Sequence, residues 1–137
     1  MQDHNTSIDR RYLPQIVDRQ ISADGARKYV LKLHDGTLVE AVGMPRDGAV
    51  GSNGLTVCFS TQSGCAMGCA FCATSKLGLT RNLESAEMLW QVALVENDFG
   101  IRASSALAIG QGEPLASYAA LAEALGFMSS VQLNLAA

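Results

Sequence analysis

Apolar and polar positions divide the chain into two differently patterned parts. Residues 28–33 read as a strand, Asp35-Gly36 as a hairpin turn and residues 38–44 as a second strand. Alternation puts Leu38, Glu40 and Val42 on one face of that second strand, so Glu40 points where two apolar neighbours point. Residues 1–25 are polar and predict a loose arm or a short helix. The stretch 45–54 carries Gly48, Gly51 and Gly54 and reads as a linker. The expected organisation is an arm over 1–25, a hairpin with its linker over 26–54, and a third unit over 55–137.

That third unit alternates strands and helices. Residues 55–61 are rich in strand formers, and a Gly/Cys loop follows over 62–80. Met88, Val92, Val95 and Phe99 recur at helical spacing and predict a helix over 85–98. Glu84 stands at its start, where Ser or Thr is preferred, although a carboxylate suits the helix dipole there. A strand over 105–110, a Gly-rich turn, an Ala/Leu-rich helix over 117–127 and a strand over 131–136 complete a β-α-β-α-β order. The fold class is therefore α/β: an N-terminal β-hairpin followed by units that build a parallel sheet. Ligands in such sheets bind beyond the carboxyl ends of strands. The loops 62–80 and 110–116 both lie there and both hold the unusual residues. Three strands do not close a barrel, and an apolar strand at the end would leave an unpaired edge. The sequence is thus expected to be truncated or one piece of a longer domain.

Composition narrows the chemistry. The 137 residues suffice for one core, and the 48% apolar and 17% charged fractions are those of a globular chain. A net charge of −3 and a pI near 5.2 lack the basic footprint of nucleic-acid binding. No run approaches the ~18 apolar residues of a membrane span, and the polar start has no secretory signature. A cytoplasmic setting is expected, where the four cysteines stay thiols for metal or catalytic use.

Three of them stand together in Gly64-Cys65-Ala66-Met67-Gly68-Cys69-Ala70-Phe71-Cys72, a Cys-x3-Cys-x2-Cys array. Short spacings let one loop wrap its thiolates around a compact metal centre. Structural zinc and electron-transfer clusters generally take four ligands, whereas a catalytic centre leaves a position open. A zinc loop would need Cys58 or His34 as its fourth ligand, and neither sits in a local knuckle pattern.

This array, with an aromatic before its last cysteine, resembles the motif of the radical S-adenosylmethionine (SAM) superfamily. The likeness extends to Val39-Glu40-Ala41-Val42-Gly43-Met44-Pro45-Arg46, to the run from Cys58 through Cys72, to Arg81-Asn82-Leu83 with Ala86-Glu87, and to Gly110-Gln111-Gly112-Glu113-Pro114-Leu115. From about Asp24 to Tyr118 the chain resembles the radical SAM adenine-C2 rRNA methyltransferases, a family that includes the chloramphenicol–florfenicol resistance methyltransferases acting at C8. The resemblance implies the first units of an incomplete radical SAM barrel, of partial TIM type, and a [4Fe-4S] cluster on Cys65, Cys69 and Cys72. SAM would chelate the fourth iron, with Phe71, Gly112 and Glu113 in its binding site. It implies ribosomal RNA as substrate, with transfer RNA as a second candidate, and a small reducing protein such as flavodoxin or ferredoxin as electron donor.

For Glu113 the plain alternative is a strand-to-helix turn with Pro114 near the first helical position. Glu40 matches the family's proton acceptor; a carboxylate among apolar groups has a raised pKa and could shuttle protons, and the plain alternative is a solvent-exposed strand Glu. Cys58 matches a cysteine thought to help resolve a protein–RNA crosslink together with a second, methyl-carrying cysteine. Once the cluster is served, no such second cysteine remains in the sequence. Two other readings stay open: a radical SAM protein with a different substrate, and a small non-catalytic iron–sulfur or zinc module.

Overall fold

A computed structural model describes residues 8–46 and 54–130. The expected strand over 131–136 and most of the linker lie outside them. The described elements are β1 (Gln15–Ile21), β2 (Arg27–Lys32), β3 (Leu38–Pro45), β4 (Leu55–Cys58), β5 (Gln62–Gly64), β6 (Leu79–Asn82), α1 (Ser85–Phe99), β7 (Ser105–Leu107) and α2 (Tyr118–Ser130), with three short 3-10 turns. One five-stranded sheet runs β1-β2-β3-β4-β7, antiparallel as far as β4 and parallel between β4 and β7. The hairpin and the α/β units are therefore hydrogen-bonded into a single sheet. β5 and β6 form a separate two-stranded ribbon.

Two elements depart from the expected pattern. Residues 15–21, expected within a loose arm, form β1 on the edge of the sheet. Every side chain of β1 is exposed, so pairing to β2 holds it and burial leaves no apolar alternation to read. The run 55–61 does not continue as one strand: β4 stops at Cys58, and Gln62 restarts in a ribbon with its own partner.

The core lies on one face of the sheet. Tyr29, Leu31, Val39, Ala41, Leu55, Val57 and Phe59 pack there against Met88, Val92, Val95 and Phe99 of α1, with Leu121 and Ala124 of α2 in the same cluster. In β3 the buried set is Val39, Ala41 and Gly43. Glu40 does share a face with Leu38 and Val42, but that face is the open one: Leu38 is 51% exposed, and Glu40 pairs with Lys28 at 2.9 Å. Glu40 is thus a half-exposed, salt-bridged strand residue.

The end of α1 is pinned to the hairpin by charge. Asp98 accepts hydrogen bonds from Arg27 at 2.8 Å and Tyr29 at 2.7 Å and also pairs with Arg19. The Arg27 guanidinium lies 4.2 Å from the centre of the Phe99 ring, and its buried Nε has no hydrogen-bond partner. Burial alone would raise the Asp98 carboxyl, but the bonds from Tyr29 and Arg27 outweigh it and hold it below the usual range. A depressed folded-state pKa stabilises the fold above the unfolded value of about 3.9 and loses that contribution as pH falls through the folded one. Asp98→Asn is accordingly expected to lower urea stability at pH 7 by about 1–3 kcal/mol. The variant should also lose less stability than the parent between pH 4 and 2; equal slopes would refute the assignment.

Candidate functional site

The site is assembled around a polar strand exit. After Cys58, residues 60–64 are all buried although none is apolar, so their polar groups need partners, and the Thr61 hydroxyl is left without one. The buried Gln91 amide clamps Ser60 from α1, accepting from its N–H at 2.8 Å and donating to its carbonyl at 3.0 Å. The Ser60 hydroxyl donates to the Glu40 carbonyl at 2.6 Å and accepts from the Gln111 N–H at 2.9 Å. The Gln111 carbonyl in turn accepts from the N–H groups of Thr61 and Gln62, at 2.9 and 3.3 Å. The Gly-rich turn after β7 is strapped along residues 59–62, so the two loops singled out in the sequence lie side by side.

Glycines permit the close approach. At Gly112, with φ of +104°, a Cβ would lie 2.6 Å from the Gln62 Cβ, and at Gly64, with φ of +77°, one would lie 1.9 Å from the Gly78 carbonyl oxygen. Gly64 sits at the neck of the cysteine loop, which β5, β6 and the Cys65 N–H bond to the Gly78 carbonyl at 3.1 Å close into a hairpin. Inside the loop, Ser75 Oγ donates to the carbonyls of Cys69 and Cys72, at 2.9 and 3.0 Å. Cys65 is buried, Cys72 half-buried and Cys69 exposed, and Phe71 projects 94% exposed.

The three thiols share one short, neck-closed loop, but among the described residues no three His, Cys, Asp or Glu side chains form a group that could hold a metal ion. In donor chemistry the loop suits an iron–sulfur cluster: three soft thiols, with Cys72 shifted toward thiolate by hydrogen bonds from the backbone of Ser75 and Thr74. Cys58 is the opposite case, its thiol pushed up by burial. In the metal-free, reduced chain, iodoacetamide is expected to modify Cys69 and Cys72 about tenfold or more faster than Cys58. Peptide mapping over a time course checks the order, and first reaction at Cys58 would contradict it.

Glu113 takes the turn role. Its carboxylate accepts from the Leu115 N–H at 3.1 Å and caps the 3-10 turn opened by Pro114, as the plain turn reading requires. Its backbone N–H donates to Gln62 Oε1 at 2.8 Å, which seats the turn against the strand leading into Cys65. Glu40 and Cys58 lie on one face of adjacent strands, since Cys58 is opposite Val42 and Val42 shares a face with Glu40. His34 is half-exposed and stands 3.3 Å from Glu87 and edge-on to Tyr12.

Sequence reasoning assigned no role to Gln62 or Gln91, nor to Arg81 and Glu87 within the motif they share. Glu87 is completely buried at the third position of α1. It takes two hydrogen bonds from Arg81, at 2.9 and 2.6 Å, and one from the Glu84 N–H at 2.8 Å. That last bond repairs the helix start that looked poorly capped. The available signal was a carboxylate on the buried stripe of a helix, which demands a cation nearby.

No family model matches the sequence. Among curated proteins, a probable dual-specificity RNA methyltransferase RlmN of a Picosynechococcus species is 48% identical over 103 residues, covering 75% of this chain and 28% of the relative. The RlmN of a Nostoc species is 52% identical over 97 residues, covering 71% and 26%. A crystal structure of a radical SAM methyltransferase from Sphaerobacter thermophilus superposes with a TM-score of 0.73 at 35% identity, over 83% of this chain and 33% of that one. The chain belongs to the RlmN-type radical SAM methyltransferase family. It spans about a third or less of the length of these relatives. The β4-α1-β7-α2 arrangement is accordingly part of the radical SAM methyltransferase fold. Among the described residues, no helix is long and apolar enough to cross a membrane.

Proposed function

We propose that this chain supplies the cluster-binding and SAM-binding part of an RNA methyltransferase acting on an adenine carbon, in 23S ribosomal RNA and in transfer RNA. The observation that carries this reading is the strapping of the Gly112–Glu113 turn to the strand that enters the three-cysteine loop. Cys65, Cys69 and Cys72 would hold the [4Fe-4S] cluster. Held by these thiolates, the cluster would supply an electron for cleavage of the SAM sulfonium. Glu113 and the carbonyls of its turn would accept hydrogen bonds from the cationic amino group of SAM, and the exposed Phe71 would cover the bound cofactor. Glu40, paired with Lys28, would carry the proton removed from the adenine ring. Cys58, on the same face, would serve resolution of the adduct. A flavodoxin- or ferredoxin-type donor and a cytoplasmic setting, where thiols stay reduced, belong to the same reading.

Support for RNA as substrate comes from the RlmN relatives and not from charge, since the chain is acidic. Anaerobic reconstitution tests the cofactor part. About four irons per chain and a cluster spectrum altered by SAM are expected, and one zinc without colour would overturn it. For the substrate, labelled methyl transfer to ribosomal RNA by the protein as its gene encodes it, followed by nucleoside mass spectrometry, separates C2 from C8 products. Absence of both products from ribosomal and transfer RNA alike, with a cluster-loaded protein, would refute the RNA assignment.

A further inference from the structure

We infer that Gln62 is a positioning residue for SAM, its side-chain amide locking the acidic turn to the return strand of the cysteine loop. This rests on the functional reading above and extends it to a residue with no place in that chemistry. Gln62 is 3% exposed and uses both ends of its amide. Oε1 accepts from the Glu113 N–H at 2.8 Å, and Nε2 donates to Asn82 Oδ1 at 2.7 Å. Asn82 ends β6, the strand on which the cysteine loop returns, and its own amide reaches the Ala116 carbonyl at 3.4 Å. One side chain thus touches the strand entering the loop, the strand leaving it and the turn beside it.

The geometry leaves the amide little slack. Gly112 packs its Cα against Gln62 so closely that no Cβ fits between them. An apolar side chain of the same length would fill that space but would leave the Glu113 N–H without its acceptor. The turn would still be strapped through Gln111, so the fold should survive while the aim of Glu113 relaxes. A positional error of this kind weakens ligand binding without touching the groups that hold iron.

The test uses Gln62→Met, with Asn82→Ala as a second variant that removes the Nε2 acceptor and the long bond to the Ala116 carbonyl but keeps the Glu113 N–H bond to Gln62. In the metal-free chain, hydrogen exchange of the Glu113 amide should quicken about tenfold in Gln62→Met, the factor that one net hydrogen bond represents, while the Thr61 amide stays protected. After reconstitution, iron content should equal that of the parent. SAM affinity, read from the SAM-induced change in the cluster's electron paramagnetic resonance spectrum, should fall by a similar factor, and less in Asn82→Ala. If Gln62→Met does not fold, a fall in SAM affinity at unchanged iron in Asn82→Ala carries the inference. Unchanged Glu113 exchange and SAM affinity in the variants would overturn the positioning role while leaving the cofactor reading intact. A parent chain that loads no cluster, or whose cluster ignores SAM, would overturn that reading and this inference with it.

Discussion

Cys69→Ala is expected to abolish cluster binding while leaving the fold intact. Cys69 is exposed, and its side chain carries none of the bonds that shape the loop. The neck is closed by backbone hydrogen bonds and by Gly64, and Ser75 braces the interior through carbonyl groups. Stability should therefore change by no more than about 0.5 kcal/mol, as for other surface substitutions. Iron should fall from about four per chain to background, because two thiolates cannot hold three corners of the cube, and any methyl transfer should disappear with it. Cys58→Ala is the contrast: it removes a buried thiol from β4 and should cost about 1 kcal/mol of packing, with iron unchanged. Elemental analysis and urea denaturation of both variants decide the matter. Iron retained in Cys69→Ala, or lost in Cys58→Ala, would put the wrong cysteines in the cluster.

Glu87→Ala should be the most destabilising single change in the described structure. It leaves the Arg81 guanidinium, itself 27% exposed, without its bidentate partner, and the Glu84 N–H without an acceptor, at a position where the lost carboxylate is fully buried. Breaking one side of a buried ion pair costs about 3–5 kcal/mol, a large part of the 5–15 kcal/mol that holds a domain folded. Arg81 also bonds Asp35 in the hairpin turn at 2.8 Å, so the loss spreads from α1 to β6 and the β2–β3 turn. Replacing Arg81 and Glu87 together by Met should cost much less than Glu87→Ala, since no uncompensated charge remains. A urea midpoint for Glu87→Ala within error of the parent would show that the pair contributes little.

Legibility followed the range of the interaction. The hairpin turn at Asp35-Gly36 and strands β2 and β3 were readable because alternation and turn chemistry are local. Helix α1 was readable because four apolar residues recur on one stripe. Strand β1 was not, because an exposed edge strand is held by a neighbour's backbone and its own side chains carry no pattern. Glu40 shows the same limit in reverse. Alternation assigned it the right companions, but which face of β3 is buried depends on where α1 packs.

By itself the sequence determined the β-α-β-α part of the order and the three closely spaced thiols, because each is written within a few consecutive residues. Only the tertiary structure decided that the turn at 110–113 lies against residues 59–62, that Gln62 and Gln91 are its clamps, and that Glu87 is buried beneath Arg81. Those contacts join residues tens of positions apart. The burial that forces each polar group to find its partner exists only once sheet and helices have closed over it.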